Sequence, residues 1–300
     1  RAFIVCGGAS ELLEEVLRRS KGEDAFREAM LSFTDGTHHV ELSEQGEPLA
    51  PVPGELTEER AQEAIRRNYH HLDPVPIDGD LTAKEEVGMF RKLSLVNHSM
   101  YPNVGRVFFD DVGVVRATKV IEAGTEITDN YVDTCMPYKD RQQRLQSNHN
   151  LDDEGPLPED APGDLVERLH SRRHEATALL ESSATRERGF EELVRVTDEA
   201  AECPRPDPAF TDLFAALGRC AMLFGRDEMA LQAYAMAMEL CTGREAFGLR
   251  TVVLTARMAI LARTAKRPEA GPIAELARQH FGICFGGGEE NFKKANPALC

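Results

Sequence analysis

Residues that favour strands are confined to one window of this 300-residue chain, and helical periodicity fills nearly everything after it, so no single sheet can organise the whole molecule. Between Leu93 and Tyr131 the apolar residues Val104, Val107, Phe108 and Phe109, then Val112, Val114 and Val115, then Val120 and Ile121, are separated by Asp110-Asp111, Gly113 and Ala123-Gly124. That pattern predicts short strands joined by tight turns in a small irregular sheet. Before it, Leu12, Leu13, Val16, Leu17, Phe26, Met30 and Phe33 recur at helical spacing over 10–33. The Pro- and Gly-containing stretch 44–55 reads as a loop, and Thr57 opens a second helical pattern through Ala61, Ala64 and Ile65. Asp152, Asp153, Glu154, Glu159 and Asp160, with three prolines and almost nothing apolar, make 148–164 a linker. After it, apolar periodicity predicts helices over 165–181, 190–200, 210–224, 229–240, 249–265 and 273–281. The fold class is therefore α+β. Its parts are a helical region over 1–67, an irregular β core over 68–146, an acidic linker over 147–164 and an all-α domain of helical hairpins over 165–300.

One helix pair in the last part carries a finer pattern. Phe214, Leu217, Gly218 and Ala221, followed by Ala230, Tyr234 and Ala237, set small and large residues at the offsets of a tetratricopeptide repeat. In such repeats small side chains let two helices approach while large ones fill the hollow between them. The unit resembles a degenerate tetratricopeptide repeat. An ordinary helical hairpin is the plainer alternative, since packed helix pairs generally alternate small and large residues.

Charge narrows the partners. With 35 Lys plus Arg against 51 Asp plus Glu, the formal charge of -16 opposes sequence-independent binding to a phosphate backbone, so no direct nucleic-acid ligand is expected. The same field concentrates a basic protein segment, and salt weakens that attraction. No apolar run approaches the roughly 20 residues that cross a bilayer, and no signal segment opens the chain, which points away from membranes and toward the cytoplasm or nucleus. The start at Arg1 in place of Met suggests a longer gene product. Seven scattered cysteines without a C-x-x-C pair suggest neither a disulfide framework nor a thiolate metal site, and they read as small buried apolar residues.

Two segments carry the chemistry: Ser94-Leu-Val-Asn-His-Ser-Met-Tyr-Pro-Asn103 and Ile121-Glu-Ala-Gly-Thr-Glu-Ile-Thr-Asp-Asn-Tyr131. In order and separation they resemble the paired signatures of the SET-domain protein lysine methyltransferases. Asn68-Tyr69, Val87-Gly88-Met89-Phe90 and Arg141-Gln142-x-x-Leu145, with the helix pairs that follow, are similar to the SET-and-MYND subfamily. The resemblance implies that the two segments cross in a knot-like arrangement and that the cofactor is S-adenosylmethionine. It further implies that Asn97 and His98 bind the cofactor through main-chain and side-chain hydrogen bonds, that Asn68 reaches its amino-acid or ribose end, and that Ser94 and Leu95 lie in backbone lining it. Tyr131 is the implied catalytic residue, its hydroxyl also meeting the cofactor where the methyl group faces the lysine nitrogen. The partner is then a protein with an accessible lysine, expected in a basic segment.

Departures from the subfamily's pattern keep a second class open, a SET-derived scaffold without turnover that binds peptides through its helical half. After Leu145 comes Gln-Ser-Asn-His-Asn in place of a cysteine-rich zinc segment, which leaves one wall of the implied lysine channel unassigned. Met100 replaces a cysteine, and the family's glycine-containing cofactor loop and zinc finger are missing. Other histidines read as surface residues: His170 with His174, which lack an acidic catalytic partner between them, and the pairs His70-His71 and His38-His39. Gly286-Gly287-Gly288 lacks the context of a phosphate loop and reads as a turn between helices.

Overall fold

A computed structural model describes residues 2–33, 54–72, 76, 79, 86–109, 111–133, 135–152, 163–203, 207–242 and 248–300. Most of the loop at 44–55, the acidic stretch 153–162 and His38-His39 lie outside the described residues. All strands among the described residues precede residue 130, and every element from 163 onward is helical, which is the α+β arrangement expected from the sequence.

The amphipathic stretch near the N-terminus is two helices, α1 (Ala9–Ser20) and α2 (Asp24–Leu31). The break falls at Lys21-Gly22, where the Gly22 and Glu23 amides both turn back to the Arg19 carbonyl. Glu11 reaches back to accept from the Gly7 amide at 2.9 Å, which satisfies a donor at the start of α1. In α3 (Glu58–Asn68), Thr57 caps the first turn by accepting from the Arg60 amide. Glu58 and Glu59 at its start and Arg66 and Arg67 at its end complement the helix dipole.

Three short strands were not anticipated. β1 (Ile4–Cys6), β2 (Tyr69–His71) and β3 (Val87–Met89) form an antiparallel sheet with β3 in the middle, Met89 facing both Ile4 and Tyr69. Leu12, Val16, Phe26, Met30, Ala61, Ile65, Val87 and Met89 bury one core between this sheet and α1–α3. Sheets this small gain little from backbone pairing alone, so that shared apolar face holds them.

Of the strands expected from the valine-rich window, β5 (Val104–Phe109) and β6 (Val112–Ala117) pair as a hairpin in full register. Val120 and Ile121 do not form a strand; Val120 is 85% exposed, on the approach to the Ala123-Gly124 turn. The hairpin packs its Val107 and Phe109 side on the C-terminal helices α9 (Leu249–Thr264), α10 (Ala270–Cys284) and α11 (Gly288–Ala295), where Phe281, Phe285 and Phe292 meet it. The three glycines at 286–288 all adopt positive φ and turn the chain from α10 into α11, a helix the sequence reading omitted.

α4 (Tyr138–His149) leads toward α5 (Gly163–Leu179), α6 (Arg186–Ala201), α7 (Thr211–Leu223) and α8 (Asp227–Thr242). Cys135, just before α4, is buried with Leu169, Phe210, Leu213, Tyr234 and Leu254 of the helical half, so β core and helices share apolar surface. Arg250 of α9 adds a polar tie by pairing with Asp133 and with Asp212 of α7. Burial works against its charge, yet Asp133, Cys135 and Asp212 together outweigh that and raise its pKa. His170 corrects the sequence reading: it is buried, and its Nε2 lies 2.8 Å from the Ala209 carbonyl.

The α7–α8 pair realises the small-and-large pattern. Tyr234 is fully buried against Gly218, and a Cβ on that glycine would stand 2.7 Å from the tyrosine ring. Gly218→Ala gains about 1 kcal/mol of helix propensity but forces this contact apart. We expect a net loss of about 1–2 kcal/mol, measured by urea unfolding. A variant as stable as the parent would show that the helices separate freely at this point.

Candidate active site

The two signature segments meet through a pair of two-residue strands. β4 (Asn97–His98) runs parallel to β7 (Thr128–Asp129), with Asn97 opposite Thr128 and His98 opposite Asp129. Beyond them the Ser99 amide donates to the Asp129 carbonyl at 2.9 Å and the Asn103 amide to the Thr128 carbonyl at 3.1 Å. Asn103, 6% exposed, fastens the crossing with its side chain as well. Its Nδ2 donates to the Glu126 carbonyl at 2.8 Å, and its Oδ1 accepts from the Thr128 amide at 2.9 Å. Its carbonyl accepts from Thr118. The Pro-Asn end of the first motif thus works as a clamp, a role that reading it only as a signature missed.

Asp129 anchors the second segment. Its buried carboxylate pairs with Arg106 of β5 and accepts from the Asn130 amide at 2.7 Å, while Arg106 also donates to the Asn130 carbonyl at 2.9 Å. A carboxylate this buried needs such partners, because stripping it of water is costly. Neither motif points to Arg106, which lies on the neighbouring strand β5.

On this frame the structure brings Asn97, His98 and Tyr131 together. The Tyr131 amide donates to His98 Nδ1 at 3.1 Å, so that nitrogen is the unprotonated one of the ring. The two rings lie 5.3 Å apart between centroids. The phenol hydroxyl donates to the Val96 carbonyl at 2.7 Å, which ties the end of the second segment to the residue before β4. Burial, helped by Asp129, pushes the phenol pKa up, so the hydroxyl keeps its proton and acts as a donor. Asn97 is exposed, and its amide donates to Glu126 Oε1 at 2.6 Å. Asn68 is buried at the end of α3, where its Nδ2 donates to the Ala64 carbonyl at 2.7 Å. Ser94 and Leu95 form a single 3-10 turn leading into β4.

Two further histidines belong to this region. His149, the last residue of α4, lays its ring 4.6 Å from that of Tyr131, so Tyr131 is flanked by imidazoles. His70 of β2 sits beside Phe90 and Phe108, with centroids 6.0 and 5.9 Å away. It is not the surface residue that the His-His pair suggested; its neighbour His71 is exposed. Burial first, then nearby Arg106, His149 and His71, lowers the pKa of His70 from 6.5 to about 3. Burial, then Arg67, His98, Arg66 and Arg106, lowers that of His149 to about 4. Both imidazoles are neutral near pH 7. Among the described residues no group of His, Cys, Asp and Glu is arranged to hold a metal ion.

Comparison with known proteins defines the class. Residues 24–132 match the family model of the SET domain, so the fold around this crossing is a SET domain. Within that class the matched segment is similar to SET-and-MYND proteins. It is 38% identical over 63 residues to the histone-lysine N-methyltransferase SMYD3 of Mus musculus, across 21% of this chain and 15% of that protein. It is 38% identical over 61 residues to the N-lysine methyltransferase SMYD2 of Gallus gallus, across 20% of this chain and 14% of that protein. To the histone-lysine N-methyltransferase ASHR1 of Arabidopsis thaliana it is 36% identical over 63 residues, across 21% and 13%. The matched segment therefore spans about a seventh of these relatives' length.

Two outcomes follow from the geometry. Asn103→Ala leaves the part-buried Glu126 carbonyl and Thr128 amide of the second segment without their side-chain partner, at roughly 1 kcal/mol each, so a loss of about 2 kcal/mol is expected in chemical denaturation. A loss below about 1 kcal/mol would mean that the crossing holds without its clamp. The second concerns acid. An unfolded chain protonates His70 and His149 near pH 6.5, whereas the folded chain resists until about 3 and about 4, so unfolding takes up protons in that interval. Stability is complete above pH 6.5 and falls as pH drops through this window; His170 and His280, also lowered by burial, add to the slope. Thermal melts from neutral to acid pH check this, and His149→Phe should make the slope shallower.

Proposed function

We propose that this chain transfers a methyl group from S-adenosylmethionine to the side chain of a lysine in a protein substrate. The observation that carries the reading is the junction of Asn97-His98 with Tyr131, in which the tyrosine's amide is held by His98 and its hydroxyl by the Val96 carbonyl. The SET domain and the names of the relatives support the same class of reaction.

The residues present fit such a cofactor. Asn97 lies exposed at the crossing with Glu126 beside it, an amide and a carboxylate suited to the polar amino-acid end of a cationic donor, and exposed Leu95 offers apolar surface next to them. S-adenosylmethionine, once bound, supplies a methyl group already activated on a sulfonium. The chain's task is then positioning, which can contribute several kcal/mol to lowering the barrier. A free lysine, with a pKa of about 10.4, arrives charged, and burial beside aromatic rings favours its neutral form. Tyr131, protonated and held between two imidazoles, orients the amine together with main-chain carbonyls.

The acidic balance of the chain favours a lysine in a basic segment, and no helix among the described residues is long and apolar enough to cross a membrane. A cytoplasmic or nuclear protein substrate fits both facts. The test incubates the protein with labelled S-adenosylmethionine and core histones as basic substrates. Label should enter the histones, Tyr131→Phe should lower the rate about 100-fold while leaving the melting temperature nearly unchanged, and added salt should raise KM. No label in any substrate, with no cofactor binding by calorimetry, would favour a scaffold that holds peptides.

A further inference from the structure

Cys135 and Cys241 face each other across the joint between the β core and the helical half. They are 106 positions apart in sequence, and their sulfurs lie 3.8 Å from each other. Both side chains are buried, Cys135 on the turn that follows the second signature segment and Cys241 near the end of α8, and both thiols are free. Bonded sulfurs sit at about 2.05 Å, so the remaining gap of roughly 1.8 Å is within reach of rotation about the two Cα–Cβ bonds.

The surroundings treat the two thiols differently. Cys241 donates its S–H toward Cys135, and its own sulfur lies 3.7 Å from the Thr211 hydroxyl. Asp133 accepts from the Cys135 amide at 2.9 Å and pairs with Arg250, which brings a guanidinium to this turn. The hydrogen bond from Cys241 and then this cation hold the Cys135 thiol below its ordinary pKa in spite of burial. The same hydrogen bond, with burial, pushes Cys241 the opposite way. One thiol is therefore prepared to ionise and the other to stay protonated, the division found between an attacking and a resolving cysteine. Asp133 and Arg250 keep side-chain exposures of 42% and 32%, so solvent begins one layer from Cys135. Hydrogen peroxide is scarcely larger than water, and a local opening of the turn admits it.

We propose that Cys135 and Cys241 are a redox-sensitive pair, which a hydroperoxide oxidises to a disulfide that fastens the segment after Tyr131 to α8. The Cys135 thiolate attacks one peroxide oxygen, the O–O bond breaks, and the departing hydroxide takes up the thiol's proton as water, which leaves a sulfenic acid on Cys135. The Cys241 sulfur then attacks the Cys135 sulfur, the S–O bond breaks, and the S–H proton leaves with the hydroxide as a second water. Two thiols lose two electrons in all, and one peroxide is reduced to two waters. Neither step draws on the methyl-transfer chemistry. The new bond closes a loop containing α4 to α7 and most of α8, which restricts the unfolded chain and stabilises the joined halves.

The test treats the folded whole chain with hydrogen peroxide, blocks the remaining thiols and maps tryptic peptides. Cleavage leaves Cys135 in 120–139 and Cys241 in 227–244, each as the one cysteine of its peptide. These two peptides should be found joined within a monomeric chain whose melting temperature has risen by several degrees, and dithiothreitol should reverse both changes. In Cys241→Ala the rise should disappear and Cys135 should stop at the sulfenic acid, which dimedone traps. Treated parent protein in which the two cysteines stay unlinked, or pair only after unfolding in urea, would overturn the inference. So would a joined pair with an unchanged melting temperature.

Discussion

The site depends on a parallel contact between two strands of two residues each. Nothing in β4 or β7 is long enough to pair stably alone, since a strand pair that short closes a long loop for very few hydrogen bonds. Asn103 changes that balance by bonding the second segment from the end of the first, main chain and side chain together, from a position where water cannot compete. Asp129 and Arg106 then fix the same crossing to the neighbouring hairpin. His98 and Tyr131 can hold their mutual geometry because the backbone on either side has been fixed by groups that contact neither ring.

Much of this was legible in the residues because the information is local. Helices announce themselves through spacing, and the expected spans from 165 onward match α5 to α10 to within a few residues. The Gly218–Tyr234 approach was readable for the same reason, as two offsets within one hairpin. Motif order gave the meeting of Asn97-His98 with Tyr131, although only through resemblance: no periodicity in the sequence says that the segments cross.

What stayed hidden is the set of partnerships between distant segments. β1 is three residues long and pairs with a strand more than 80 positions away, so its apolar alternation was too brief to separate from the helix that follows. His70 read as half of a surface pair, and the packing of Phe90 and Phe108 beside it leaves it half-buried. His149 stands in a segment marked by the cysteines it lacks, and no spacing in the sequence places its ring beside Tyr131. Val120 and Ile121 erred in the other direction, their β-branched character outvoted by the neighbouring turn.

Arg250 joins parts of the protein made at different times. Asp133 lies just past the tyrosine that completes the site, and its cationic partner sits on α9, deep in the helical half. A nascent chain that has exposed both signature segments still lacks this guanidinium and the apolar surface that covers Cys135. The order of synthesis therefore places the closing of this contact late, after α9 has emerged from the ribosome.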